Sequence, residues 1–329
     1  MIELLKKLFD AQSVSGGESP VMDVIGAELC GFCDEIKRDA LGNLIAYKRG
    51  KSQNPRRIML AAHADEIGFL VTYIEDKGFV RVTPIGGIHW FASCYSPVKF
   101  ENGVMGVLVP DADAKINEYG AEKFYVDIGC SDRESAEKLV KIGMRAAVAP
   151  QLIELAGGRI AGRPLDDKIG CAVLIEAMKR LKEHSDDIYC AFTVQEEVGC
   201  RGARTASYAV MPDISIACDV TGVGDTPGSK HMAVKLGGGA AIKIKDSSVI
   251  CSPEIVAELT KVAEENGIKY QHEILTGGGT DTSQMQLAGE GSVAGCISVP
   301  SRYIHTAVEM CDLADVEACV QLFVSYLSR

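Results

Sequence analysis

Two adjacent carboxylates, Glu196 and Glu197, close the apolar run 189–194 shortly before a glycine, Gly199. A strand that ends in two acids and then turns can aim both at one spot. One can hold a metal while the other moves a proton, the division of labour that metal-dependent hydrolysis uses. Alone, such a pair is ordinary solvated surface. Four other places add weight. His63 follows the apolar run 57–62. Asp166 and Asp167 lie between a Gly/Pro turn and a helical pattern. Asp219 ends the run 214–218, and His305 follows the run 296–299. Two histidines with three or four carboxylates, and no cysteine among them, suit a pair of divalent ions such as Zn²⁺, Co²⁺ or Mn²⁺. Two ions need a bridging group, and a carboxylate can offer one oxygen to each.

Each position also has a local explanation. A histidine at a strand end can be a hydrogen-bonded surface residue. Asp166-Asp167 can cap the helix that begins at Lys168, and Asp219 can start a turn before Thr221-Gly222. Five such explanations would have to hold independently, always at strand ends or helix starts.

The elements that must position these residues have two textures. Residues 1 to about 33 predict two helices broken at 13–17. The apolar strand 57–62, with polar residues at its carboxyl end, predicts a parallel or mixed sheet covered on both faces. From about 72 to 159, short Val-, Ile- and Phe-rich runs alternate with Gly, Pro and Asn, with one helical stretch near 131–142. This reads as an inserted β-rich domain over 70–160. The α/β texture then resumes with helices at 168–182, 253–267, 283–288 and 313–327 and strands at 188–194, 214–218 and 296–299. Residues 1–69 and 161–329 therefore read as one α/β domain with a mixed central sheet flanked by helices. The carboxyl ends of its strands gather along one edge, which lets distant residues converge.

Composition narrows the function classes. The chain has 329 residues, 47% hydrophobic and 24% charged, with a formal net charge of −11. These are globular values, and no Lys/Arg-rich run invites nucleic acid or an anionic membrane. The N-terminus lacks the long apolar core of a signal peptide, and no run reaches the roughly 20 apolar residues of a membrane span. A cytoplasmic location is expected. The twelve cysteines are scattered, mostly within apolar runs, and read as reduced core residues. Cys30-Gly31-Phe32-Cys33 ends a helix rather than opening one and has no second CxxC to complete a zinc knuckle.

The segments His63-Ala64-Asp65-Glu66-Ile67-Gly68, Leu165-Asp166-Asp167-Lys168, Gln195-Glu196-Glu197-Val198-Gly199, Asp219 and Arg302-Tyr303-Ile304-His305-Thr306 resemble the di-metal aminopeptidases of family M42, which include tetrahedral and glutamyl aminopeptidases. Gly277-Gly278-Gly279-Thr280-Asp281 resembles a further loop of that family. The likeness spans essentially the whole chain. Lys168 stands for a frequent Arg, Ala307 for a frequent Pro, and Cys200 for a usual aliphatic residue.

The resemblance implies that His63 and Asp219 bind one metal, and that Glu197 and His305 bind the other. Asp166, or Asp167 if the second of the pair does so, bridges them. It also implies Glu196 as general base and Asp65 as a hydrogen-bond partner orienting His63. Related di-zinc peptidases have a cis peptide after the bridging Asp, which would fall at Asp166–Asp167. Short peptides are the implied substrate and two divalent ions (Zn²⁺ or Co²⁺, or Mn²⁺) the cofactors. The β-rich insertion is implied to be a PDZ-like dimerisation domain, with dimers building a tetrahedral dodecamer. Rival readings are a related di-metal hydrolase (a deblocking acylaminoacyl peptidase, carboxypeptidase or deacylase), an endoglucanase, or an assembly scaffold with a vestigial site. Glycosidases need two opposed carboxylates and usually no metal. The two histidines and a single Trp argue against that chemistry.

Overall fold

In a computed structural model, which describes residues 1–229 and 231–329, the chain opens with helices α1 (Ile2–Asp10) and α2 (Ser19–Leu29) and the hairpin β1 (Glu35–Arg38) and β2 (Leu44–Lys48). Strand β3 (Arg57–His63) is followed by β4 (Gly68–Ile74), β5 (Val80–Ile85), a single-turn α3 (Trp90–Ser93), β6 (Pro97–Phe100), β7 (Met105–Pro110), β8 (Phe124–Asp127), α4 (Arg133–Glu137) and β9 (Arg145–Val148). Next come β10 (Gln151–Glu154), β11 (Arg159–Arg163), α5 (Lys168–Arg180), β12 (Asp187–Thr193), α6 (Arg201–Val210) and β13 (Ile214–Thr221). The chain ends with β14 (Ala240–Lys245), α7 (Pro253–Glu265), β15 (Tyr270–Ile274), α8 (Thr282–Met285), β16 (Val293–Arg302), β17 (Glu309–Asp312) and α9 (Leu313–Leu327).

Two sheets organise these elements. An 11-stranded mixed sheet has at its centre the parallel neighbours β12, β3, β13 and β16. Antiparallel strands extend it on both sides: β2 and β1 beyond β12, and β17, β11 and β10 beyond β16. Strands β4 to β9 close into a six-stranded antiparallel barrel. The barrel strands run from residue 68 to 148, whereas β10 and β11 pair within the large sheet.

The central strands are buried on both faces, so their sequences run apolar without alternation. The faces are still distinct. Ile58, Leu60 and Ala62 of β3 join the core beneath α1, α2, α5, α7 and α9. Met59 and Ala61, one residue out of phase, pack with Ala203, Ala206 and Val210 of α6 and Met285 of α8. The barrel has a separate core built on Phe69, Phe100, Phe124, Val80 and Val126.

The sheet class, the helical flanks and the β-rich segment match the sequence-based expectation. Some elements differ. The helical stretch expected near 131–142 shortens to α4. The Ala136 carbonyl accepts the N–H groups of both Leu139 and Val140 at 2.9 Å, a tightened end that lets Val140 enter the barrel core. Helix α6 has no counterpart among the expected elements; it is amphipathic, and its buried face is built from the small residues Gly202, Ala203, Ala206 and Ser207 with Val210. The Cys30–Cys33 segment follows the end of α2, with Gly31 at φ +83°. Burial pushes the Cys33 thiol up to about 11, opposite to the depressed pKa of a redox-active cysteine.

Candidate active site

The parallel strands deliver their carboxyl ends to one edge of the large sheet, as expected for an α/β fold. His63 is the last residue of β3 and lies in register with Thr193, the last residue of β12. Glu196 and Glu197 follow within one turn. Asp219 lies near the end of β13, and His305 follows β16. Asp166 and Asp167 occupy the link from β11 to α5, and Asp167 caps α5 by accepting the Gly170 N–H at 3.0 Å.

These side chains converge. His63 Nε2 lies 3.1 Å from Asp166 Oδ1, 3.8 Å from Asp219 Oδ1 and 3.9 Å from Glu196 Oε2. His305 Nε2 lies 3.3 Å from Asp166 Oδ2 and 3.2 Å from Glu197 Oε2. Asp166 therefore meets both imidazoles, one with each oxygen. Asp167 also keeps a carboxylate oxygen within 4.8 Å of donor atoms of His63 and Asp219; its Oδ1 accepts the capping bond, and its buried Oδ2 has no hydrogen-bond partner. The peptide between Asp166 and Asp167 is cis.

The backbone around the site is unusual because the side chains must face inward from turns. Gln195, Cys200, Tyr303 and His305 all have φ between +50° and +63°. Buried polar groups hold these turns and the strand ends beside them. Asp65 accepts from Ser15 Oγ at 2.7 Å, from the Glu196 N–H at 2.9 Å and from the Glu197 N–H at 3.2 Å. Asn43 accepts the Val194 N–H at 3.0 Å and donates to the Gly202 carbonyl at 3.0 Å, clamping the same turn from below. Glu309 accepts the N–H groups of Leu165 at 2.7 Å, Asp166 at 3.0 Å and His305 at 3.1 Å. Lys168, fully buried, donates to Ser13 Oγ and the Ala64 carbonyl.

His63 meets Asp65 through two of its oxygens. Its Nδ1 lies 3.2 Å from the Asp65 backbone carbonyl, whereas the Asp65 carboxylate is 3.5 Å away and engaged by the glutamate turn. With Nδ1 donating to that carbonyl, Nε2 presents its lone pair to the carboxylate cluster, the arrangement a metal-binding imidazole needs.

Five carboxyl groups crowd two imidazoles here, and the electrostatics show the imbalance. Burial opposes the charge on Asp166, yet hydrogen bonds with His305 and His63 hold its carboxyl well below the usual carboxylate range. Burial, then repulsion from neighbouring carboxylates, raises Asp219, Asp167 and Glu196 well above that range, and burial raises Glu197. Each buried, uncompensated charge costs several kcal/mol. Dications at this position would remove that cost, and the mixed imidazole and carboxylate donors are those Zn²⁺, Co²⁺ and Mn²⁺ accept. The residues present thus fit divalent metal.

All the sequence-predicted site residues meet at this edge. Sequence reasoning gave no role to Glu309, Asn43, Asp281 or Cys200. Asp281, 2% exposed, accepts from the Thr193 hydroxyl, and burial pushes its carboxyl up to about 6. Its Gly-Gly-Gly-Thr-Asp loop was the only local signal. Glu309 and Asn43 act by contacting backbone far away in sequence, and no spacing pattern marks them.

Comparison with known proteins identifies the family. The sequence profile of the family described as M42 glutamyl aminopeptidase matches residues 42–322. A putative aminopeptidase of Acetivibrio thermocellus is 46% identical over 325 residues, covering 98% of this chain and 97% of its own length. Among solved structures, an aminopeptidase from the archaeon Desulfurococcus kamchatkensis superimposes with TM-score 0.96 at 37% identity, covering 99% of this chain and 94% of the other. The Pyrococcus horikoshii TET1 peptidase, described as able to assemble into a tetrahedron or a large octahedral shell, matches with TM-score 0.87 at 34% identity over 99% of this chain and 98% of its own.

Proposed function

As a member of the M42 aminopeptidase family the chain is a peptide hydrolase, and we propose that it removes the N-terminal residue of short peptides by a two-ion mechanism with Glu196 as general base. His63 and Asp219 would hold one divalent ion, Glu197 and His305 the other, with Asp166 spanning both. The observation that carries this reading is the double contact of Asp166, whose Oδ1 lies 3.1 Å from His63 and Oδ2 3.3 Å from His305. When bound, the ions would supply Lewis acidity at the scissile carbonyl and lower the pKa of the attacking water toward neutrality.

The remaining work falls to the chain. Glu196 stands beside the ion positions without a place among the ligands, 3.9 Å from His63. Its raised pKa, caused first by burial, suits a group that takes a proton from water and gives it to the leaving amine as the C–N bond breaks. Asp65 holds Glu196 and Glu197 in register through their backbone N–H groups. The surplus of carboxylates favours a substrate that brings its own positive charge, which a free N-terminal amine does.

We further propose that residues 70–160 form a dimerisation unit and that dimers assemble into a tetrahedral dodecamer. Exposed apolar residues support this: Phe91 (58% exposed), Tyr95 (68%) and Ile116 (66%) on the barrel segment. The shell-forming TET1 peptidase is similar over its whole length.

Activity on aminoacyl chromogenic substrates, compared with their N-acetylated forms, tests the reaction. Cleavage of the free-amine series alone is expected, lost on dialysis against a chelator and restored by refilling with Zn²⁺, Co²⁺ or Mn²⁺. Equal cleavage of the acetylated series would replace this reading with a deblocking hydrolase.

A further inference from the structure

We propose that Glu196, Cys200 and Asp281 form a third divalent-cation site beside the catalytic pair, selective for thiophilic ions such as Zn²⁺ or Cd²⁺, and that filling it switches the enzyme off. One donor atom from each of the three residues lies within 4.8 Å of the others. Cys200 caps α6 in the left-handed region at φ 50°, and its Sγ lies 3.2 Å from Glu196 Oε1. Asp281 sits at the start of α8 with one oxygen on Thr193, while its other oxygen, Oδ1, is buried without a hydrogen-bond partner. A buried carboxylate oxygen left unpaired costs free energy unless something fills its place. A cation held by these three groups would.

The donor chemistry defines the ion. One sulfur with two carboxylates favours a borderline-soft dication over Mg²⁺ or Ca²⁺, and three protein ligands leave a fourth tetrahedral position for water. Cys200 and Glu196 are only partly buried, which leaves a route from solvent. On binding, the Cys200 thiol releases its proton to water as the sulfur takes the ion. This site is separate from the catalytic pair in its ligands, since Cys200 and Asp281 have no part in that set.

Glu196 links the two. Its Oε2 faces His63 at 3.9 Å, and its Oε1 faces Cys200 at 3.2 Å. An ion drawn to Oε1 takes the carboxylate out of proton transfer. The inhibition therefore rests on Glu196 being the general base, whereas the binding does not.

The test uses the two-ion holoenzyme carrying Cys30→Ser and Cys33→Ser, which removes the CxxC pair as a competing thiolate site. Cd²⁺ is titrated while thiolate-to-cadmium ultraviolet absorption and turnover are followed together, and Zn²⁺ inhibition is measured in parallel. The expected result is one equivalent of thiolate absorption rising as activity falls. Cys200→Val should abolish that absorption and raise the half-inhibitory Zn²⁺ concentration at least tenfold. Asp281→Asn, which keeps the shape of the side chain, should weaken Cd²⁺ binding at least tenfold. Unchanged absorption in Cys200→Val, or equal Zn²⁺ sensitivity in both variants and the parent, would overturn the site. Absorption without inhibition would overturn the switch and count against Glu196 as the base, and leave the ion site standing.

Discussion

Glu196 and Glu197 are neighbours in sequence, yet their carboxylates meet different partners. Glu197 Oε2 lies 3.2 Å from His305, whereas Glu196 reaches His63 only at 3.9 Å and keeps its other oxygen on Cys200. The turn that separates them is fixed by Asp65, which accepts both backbone N–H groups. The two residues should therefore fail differently. Glu196→Gln is expected to keep both ions and lose about 10²- to 10⁴-fold in turnover, the span general base catalysis contributes. Glu197→Gln should instead lose an ion on dialysis. Metal analysis and kcat of the two variants check this, and near-parental turnover in Glu196→Gln would remove it from the mechanism.

At the scale of elements, the site depends on the barrel as well as on the large sheet. The Gly86-Gly87 turn after β5 lies directly against it. A Cβ on Gly86 would stand 2.5 Å from Ile67 Cγ2 and 3.2 Å from Glu197 Cβ, and one on Gly87 would stand 3.0 Å from His305 Nδ1. Gly86 also has φ +75°, a conformation that costs any other L-residue about 1–2 kcal/mol. Gly86→Ala should lose at least that much stability and bind metal more weakly, because Ile67 and Glu197 must also give way. Denaturant unfolding and metal retention after dialysis would show it. Full retention of both would mean that the turn merely passes by.

At the scale of the whole molecule, the exposed apolar side chains among the described residues include two groups. One is the barrel segment with Phe91, Tyr95 and Ile116. The other includes Tyr208 on α6 and Leu287 just past α8, 78% and 70% exposed. Exposed apolar surface of this kind marks interaction sites, and two separate patches allow closed assemblies larger than a dimer. Sedimentation at micromolar protein is expected to give a large multiple of 35.2 kDa. A monomer alone would refute the assembly. No helix among the described residues is long and apolar enough to cross a membrane.

Much of the candidate site could be read from sequence because its residues mark local boundaries. His63, Glu196, Glu197, Asp219 and His305 each end or follow an apolar strand, and Asp166-Asp167 precede a helix. Alternation and run length report such boundaries without knowledge of the partner. The sequence also determined the sheet class, since strands buried on both faces must be continuously apolar. Tertiary structure alone decided what holds those residues still. Glu309 fastens Asp166 and His305 through their backbone N–H groups, Asn43 ties Val194 to Gly202, and Asp65 serves the glutamate turn as well as standing beside His63. It also decided that Cys200 and Asp281 would meet at Glu196. These are contacts to backbone atoms or between distant loops. Every residue carries the same backbone donor and acceptor, so residue identity does not reveal which of them a buried carboxylate or amide will find until the chain has folded.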